Sequence, residues 1–348
     1  METEQLPTAM QTALDIQHLI HNTGGSPNVD LLTEFIETIL RARDLERFDL
    51  RILHRAVREL RYAFSVFARY RQVRKVAVFG SARTRQDSPV YRLASTFARD
   101  IAEAGFMVIT GAGDGIMKAA QEGAGRERSF GLNILLPFEQ EANEIIINDP
   151  KLVYLKYFFT RKLLFVKEAH AFVMFPGGFG THDEAFETLT LMQTGKSELT
   201  PVVFLDVPGS TFWQEWLAFL EQHMLAHGLI SPTDLHLFKV TNDVEEAVQE
   251  ITTFYRNYHS ARYINGQLVL RMRHPGSAEM LATLNRDFAD ILTQGDIILD
   301  PMHSDDVAEV PELPRLRLWF DRVNYGRLRQ LIDALNTYPC LPEHAGTR

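Results

Sequence analysis

Cysteine is nearly missing from this sequence: Cys340 is the one example in 348 residues. A single thiol closes no internal disulfide and cannot supply a Cys₄ or Cys₂His₂ metal set, so those frameworks are excluded and no metal site is expected. Long apolar runs are lacking as well. The longest fall short of the roughly 18 to 20 residues that cross a bilayer. The opening METEQLPTAM has no basic segment leading into an apolar one, so neither membrane association nor a signal peptide is expected. Positive charge is in deficit, with 36 Lys and Arg against 45 Asp and Glu, a net charge of −9. That balance argues against broad nucleic-acid binding. Internal repeats and low-complexity tracts are absent too. What remains, 45% hydrophobic and 23% charged, is the composition of an ordinary globular chain. It is long enough for about two domains at roughly 150 residues each, and a cytoplasmic location is expected.

Three zones follow from pattern. Residues 1–72 read as a helical extension. Leu53, Val57, Leu60, Phe64 and Phe67 recur at helical spacing, with Arg51, Arg55, Arg58, Arg61 and Arg69 around them as a solvated face. Residues 73–258 alternate short apolar runs with amphipathic segments. Candidate strands are Val76–Phe79, Met107–Thr110, Gly131–Leu135, Ala171–Phe175 and Val202–Asp206; candidate helices are Tyr91–Ala104, Gly115–Gly123, Phe159–Glu168 and Thr181–Thr194. Strands apolar on both faces, alternating with helices, predict an α/β class: a doubly wound, Rossmann-like parallel sheet. Residues 259–348 predict a small α+β appendage, with strands at Gln267–Met272, Ile297–Leu299 and Arg315–Phe320 and helices at Ser277–Leu292 and Tyr325–Asn336.

Four segments of the middle zone carry chemistry. After the first strand, Gly80 and Ser81 allow a tight turn at the carboxyl edge of the sheet, where such sheets bind ligands, and Arg83 offers a guanidinium suited to phosphate. After the second strand, Thr110-Gly-Ala-Gly-Asp-Gly-Ile-Met117 places glycines at 111, 113 and 115, with Met117 closing the run. This is not the dinucleotide spacing, and no acidic residue follows about 20 residues later on a second strand, so hydride transfer is disfavoured and no cofactor is expected. Phe175-Pro-Gly-Gly-Phe-Gly-Thr-His-Asp-Glu184 is the strongest signal. Gly177, Gly178 and Gly180 expose backbone N–H groups at a helix start, Thr181 adds a hydroxyl, and Glu184 lies one turn on. The plainer explanation makes Thr181 an N-cap and Glu184 its capping-box partner, which accounts for those two residues but not for three glycines. Finally, Arg161 and Lys162 in Tyr157-Phe-Phe-Thr-Arg-Lys162 are placed to meet a phosphate or ribose, or else decorate a helix surface.

FGSAR at 79–83, TGAGDGIM at 110–117, GLNILLPFEQ at 131–140, YFFTRK at 157–162 and PGGFGTHDE at 176–184 together resemble the Lonely Guy family, also called lysine decarboxylase-like, over residues 75–258. The resemblance implies phosphoribohydrolase activity. Water would cleave the N-glycosidic bond of a nucleoside 5′-monophosphate, such as AMP or a cytokinin ribotide, giving free base and ribose 5-phosphate. It also implies that Arg161 and Glu184 are catalytic, that Lys162, Gly178, Gly180 and Thr181 contact phosphate and ribose, and that the chain forms a homo-oligomer. Two positions depart from the family's pattern. Asp114 interrupts the usual G-G-G-P-G, and His182, read as a helix-surface histidine, replaces an apolar residue.

Two other functions compete. A decarboxylase needs pyridoxal phosphate on a lysine with a carboxylate at the ring nitrogen, and nothing around Lys162 or Lys167 forms that constellation. A non-catalytic nucleotide-binding module would need the phosphate loop but not the carboxylate, so retention of both Arg161 and Glu184 favours the enzyme. Trp213 and Trp216 lie outside the motifs and are expected in the core.

Overall fold

The computed structural model describes Leu14, His18 and residues 28–135, 141–300 and 312–338. Cys340 and the 136–140 end of the GLNILLPFEQ run lie outside them. The chain divides into two compact units, residues 1–59 and 60–348. The first contains α1 (Val29–Arg41) and the start of α2 (Arg47–Ala68), where Arg55 pairs with Glu59 at 2.7 Å. The end of α2 belongs to the second unit, where Phe67, the last residue of the predicted stripe, stacks on Phe130 at 4.5 Å between ring centroids.

The second unit holds a seven-stranded sheet and a four-stranded one. The larger is built from β1 (Lys75–Phe79), α3 (Pro89–Glu103), β2 (Met107–Thr110), α4 (Ile116–Ala124), β3 (Ser129–Ile134), β4 (Leu152–Leu155), α5 (Phe158–Glu168), β5 (Ala171–Met174), α6 (Phe179–Gln193), β6 (Val202–Leu205), α7 (Phe212–Phe219), β7 (Lys239–Thr241) and α8 (Val244–Phe254). Its strand order is β4-β3-β2-β1-β5-β6-β7, and every pairing is parallel. Residues of β1, β2, β3, β5 and β6 are buried throughout, as expected for strands covered by helices on both faces. Helix α3 starts where Ser88 accepts the Tyr91 N–H at 3.2 Å and Pro89 occupies the first turn, where its missing N–H costs nothing. Against it, α4 approaches so closely that a Cβ on Gly123 would sit 2.0 Å from the Ser95 carbonyl oxygen.

The topology fixes where a ligand belongs. The chain lays down β1 to β4 in one direction, then returns to place β5 on the other side of β1. Loops leaving the carboxyl ends of β1 and β5 therefore diverge to opposite faces and leave a crevice between them.

The smaller sheet is antiparallel, ordered β10-β11-β9-β8, from β8 (Tyr258–Ile264), β9 (Gln267–Met272), β10 (Leu292–Asp300) and β11 (Arg315–Phe320), with α9 (Ala278–Asp287) and α10 (Tyr325–Thr337). Strand β8 was not expected. Its polar alternation (His259, Ser260, Arg262) masks it, although the Asn265-Gly266 turn, both residues at positive φ, is a two-residue hairpin signal. The helix expected over Ser277–Leu292 stops at Asp287, Ala289–Ile291 form a 3₁₀ turn, and Leu292 opens β10. Trp213 and Trp216 are buried as expected, packing on Phe204 at 4.7 and 4.4 Å between ring centroids. Among the described residues no helix is long and apolar enough to cross a membrane.

Candidate active site

Three glycine loops meet at the crevice, and the backbone of Ser81 ties them together. Its N–H donates to the Pro176 carbonyl at 3.1 Å, and its own carbonyl accepts the Ile116 N–H at 3.1 Å. Thus the loop after β1 is bonded both to the loop after β5 and to the start of α4. Glycine is required where these segments touch. Gly115 has φ +62°, and a Cβ there would lie 2.2 Å from the Ser81 carbonyl oxygen. A Cβ on Gly177 would lie 2.2 Å from Thr181 Oγ1, and one on Gly80 would strike Ile116 at 2.7 Å. Gly178 and Gly180 differ, since a Cβ at either meets nothing within 4 Å and neither has a positive φ. Their lack of side chains leaves open space in front of a helix N-terminus, where first-turn N–H groups have no intrahelical acceptor and the helix dipole favours an anion.

The plainer explanation of Thr181 and Glu184 fails. Helix α6 begins at Phe179 with Gly178 as its N-cap, and no side chain caps it. Thr181 and Glu184 lie inside the helix, buried, so their burial needs another account. Glu184 is 5% exposed. Burial pushes its carboxyl above the ordinary glutamate value, against the opposing charges of Lys162 and Arg161.

Arg161 is drawn toward the same place from α5. Its Nη1 lies 3.8 Å from where a Gly111 Cβ would be, and the Met117 sulfur lies 2.8 Å from that point, so glycine at 111 makes room for both. The guanidinium sits over the Phe158 ring at 4.8 Å, and its buried Nε has no hydrogen-bond partner. Burial lowers its affinity for the proton, opposed by Glu184 and Asp183. A half-buried guanidinium whose buried Nε lacks a partner, beside a buried carboxylate, is an arrangement a ligand would complete.

Lys162 faces elsewhere than the sequence suggests. Its Nζ lies 2.6 Å from Glu187, 2.8 Å from Asp183 and 4.0 Å from Glu184. Burial works to lower its proton affinity, yet the hydrogen bonds to Asp183 and Glu187 prevail and raise it. An ammonium engaged by three carboxylates of α6 is poorly placed to meet a phosphate and well placed to hold Glu184 ionised. Arg83 and Asp114 are both exposed, outside this buried group. His182 is half-buried, with Nδ1 3.0 Å from the Gly178 carbonyl and its ring against Phe212 and Trp213, so it packs rather than standing free on the helix surface.

Asn143 is a participant the sequence did not reveal. Buried, it donates from Nδ2 to the Gly113 carbonyl at 2.8 Å and to Gln121 Oε1 at 2.7 Å, while its own N–H donates to the Ala112 carbonyl at 2.9 Å. It holds the Gly111–Gly115 loop from 30 residues away, a separation at which no local pattern announces a partner. Among the described residues no cluster of His, Cys, Asp and Glu suits a metal ion.

Residues 114–251 match the family described as "Possible lysine decarboxylase". Over 94 residues the chain is 32% identical to cytokinin riboside 5′-monophosphate phosphoribohydrolase LOG1 of Arabidopsis thaliana, covering 27% of this chain and 42% of that one. It is 32% identical over 91 residues to the cytokinin riboside 5′-monophosphate phosphoribohydrolase of Rhodococcoides fascians, covering 26% and 44%. The chain thus spans under half the length of these curated relatives. Among solved structures, the structural-genomics target TM1055 aligns with 52% of this chain and 99% of its own at 24% identity and a TM-score of 0.37. The fold assignment itself rests on the strand order. The glycine loops, Arg161 and Glu184 meet at one crevice, and the stretch that carries Arg161 and Glu184, residues 114–251, is similar to the Lonely Guy phosphoribohydrolases.

Proposed function

We propose that this protein hydrolyses the N-glycosidic bond of a nucleoside 5′-monophosphate, releasing free base and ribose 5-phosphate, with AMP or a cytokinin ribotide as substrate class. The observation that carries this reading is the buried Glu184 carboxylate, set between two cationic side chains at the end of an open glycine loop. Cleavage of the C1′–N bond develops positive charge on the ribose, which a nearby carboxylate stabilises. Glu184 orients the attacking water and accepts its proton. The water oxygen bonds C1′ and the departing base leaves with the electron pair of the broken bond, taking up a proton. The open space at Gly178 and Gly180 receives the phosphate against the α6 N-terminus, so that binding energy remote from the bond supports the chemistry. Arg161, with an unused donor, positions the ribose phosphate or assists departure of the base. The activity for which the curated relatives are named supports this reading.

A nucleotide-binding module without turnover is the second reading, and the exposed Asp114 in the Gly111–Gly115 loop is what favours it. Incubating the protein with a panel of nucleoside 5′-monophosphates and separating the products by chromatography distinguishes the two. Free base in equal amount to ribose 5-phosphate supports the hydrolase; tight nucleotide binding with no base released supports the module.

A further inference from the structure

A large cavity among the described residues lies apart from the crevice that holds Glu184. A cleft of about 1390 Å³ opens at the other end of the large sheet. Arg74, directly before β1, and His170, directly before β5, line it, so it borders the amino ends of strands whose carboxyl ends carry the candidate active site. Six Lys and Arg side chains line it against two Glu, an excess of positive charge in a chain whose net charge is −9. Two of the six, Lys162 and Lys167, are engaged by carboxylates. Of the others, Arg74 sits over the Tyr255 ring at 3.6 Å and donates to the His259 carbonyl at 3.3 Å, and Arg273 donates to the Tyr255 carbonyl at 3.1 Å. Bonds to a ring face and to carbonyls fix these two side chains, and the Glu198 carboxylate on the same lining offsets part of the Arg74 charge. Arg71 and Lys196 are exposed on the same lining. The half-exposed Phe159 ring supplies an apolar wall.

Two half-buried histidines report on the local field. Burial first, and then the Arg74 charge, depress His170 to about 3 and His259 to about 4, so both are neutral at physiological pH. His170 Nδ1 accepts the Lys75 N–H at 3.2 Å, which leaves its proton on Nε2 as a donor.

We infer that this cleft is a second ligand site, separate from the candidate nucleotide site, that binds a small, multiply phosphorylated anion. Two fixed guanidinium groups, with Arg71 and Lys196 around the same space, suit several phosphate charges rather than one, and the aromatic wall suits a ligand with an apolar part. The cleft also touches Lys162 and Glu187, the pair beside Glu184, which gives an occupant a direct route to the candidate active site.

The test uses the full chain and inorganic tripolyphosphate in isothermal titration at low and at moderate salt. The parent is expected to bind, with affinity falling as salt rises. Arg71→Glu, Lys196→Glu and Arg273→Glu combined, all at exposed positions, are expected to weaken binding at least about a hundredfold, at about tenfold for each charge-assisted contact. The charge-conserving Arg71→Lys, Lys196→Arg and Arg273→Lys set keeps most of the binding. Base release from AMP without tripolyphosphate stays unchanged in the triple Glu variant, and Thr181→Val keeps tripolyphosphate binding. Absence of binding in the parent, or equal binding in the triple Glu variant, overturns the proposal. So does loss of binding in Thr181→Val alone, which would put the anion in the nucleotide site. Self-association abolished by the triple Glu change, without anion binding in the parent, would make a second copy of the chain the occupant and likewise overturn it.

Discussion

A methyl group placed on Gly177 would lie 2.2 Å from Thr181 Oγ1, 2.8 Å from Thr181 Cβ and 3.1 Å from the carbonyl carbon of Gly80. None of these neighbours yields easily. Thr181 is buried inside α6, and the Gly80 carbonyl carbon belongs to the segment clamped by the bond from the Ser81 N–H to the Pro176 carbonyl. Relief therefore requires the loop after β5 to move by about 1 Å, an overpacking cost of about 1–3 kcal/mol. For a unit spanning residues 60–348 that lowers the melting temperature by about 2–5 °C. A displacement of about 1 Å at the start of α6 also costs about a hundredfold in rate if the loop holds the phosphate. Gly178→Ala is the matched control, because its methyl meets nothing within 4 Å. It is expected to melt within about 2 °C of the parent while binding nucleotide more weakly, since the methyl fills space meant for ligand. Differential scanning calorimetry and base-release kinetics on both variants test the pair. A Gly177→Ala protein that melts like the parent would refute the packing argument. A Gly178→Ala protein with unchanged nucleotide affinity would refute the placement of the phosphate.

Glu184 must be ionised to accept a proton, and burial raises its proton affinity, so activity is full at high pH and falls as pH drops through a limb above the ordinary value of 4.5; a kcat/KM profile with that limb at or below 4.5 contradicts the assignment. Lys162 is the largest charge opposing that rise. At 4.0 Å its attraction for Glu184 is about 1 kcal/mol if screened as in water and about 4 kcal/mol at an effective dielectric of about 20. Side-chain exposures of 15% and 7% favour the stronger end. Lys162→Met is therefore expected to move the acid limb to higher pH, with a greater loss of rate at pH 6 than at pH 8, and an unmoved limb would mean that Lys162 does not hold Glu184 ionised. Linkage makes a further claim about stability. A carboxyl whose folded proton affinity is raised favours the fold below its unfolded value and loses that contribution as pH rises through the folded value, so ionised Glu184 is a net cost at neutral pH. Glu184→Gln should melt higher than the parent at pH 7 in calorimetry, and a lower melting temperature counts against it.

The central strands were legible because burial on both faces leaves one kind of pattern, a short apolar run with Gly or Pro at one end, as in β1, β2, β5 and β6. Strands β4 and β7 were not. They form the outer positions of the sheet, where exposed Tyr154 and half-buried Lys239 interrupt the apolar run. The loops of the candidate site were legible for a related reason, since glycine at the end of a strand has few other uses. What sequence could not supply was pairing across distance. Nothing local in Lys162 announces that its ammonium faces Asp183 and Glu187 on the next helix, or that Asn143 carries the Gly113 loop. The basic cleft was hidden for the same reason, because Arg74, Lys196 and Arg273 come from three separate segments and each alone reads as surface.

The most direct measurement of the central claim is base release from AMP and related nucleoside 5′-monophosphates by the parent and by Glu184→Gln, each with nucleotide binding measured alongside. The hydrolase account predicts free base and ribose 5-phosphate in equal amounts from the parent. It predicts a loss of about 10²–10⁴-fold in rate for Glu184→Gln, with nucleotide still bound. A parent that binds these nucleotides and releases no base, or a Glu184→Gln protein that hydrolyses them at the parent's rate, would contradict it.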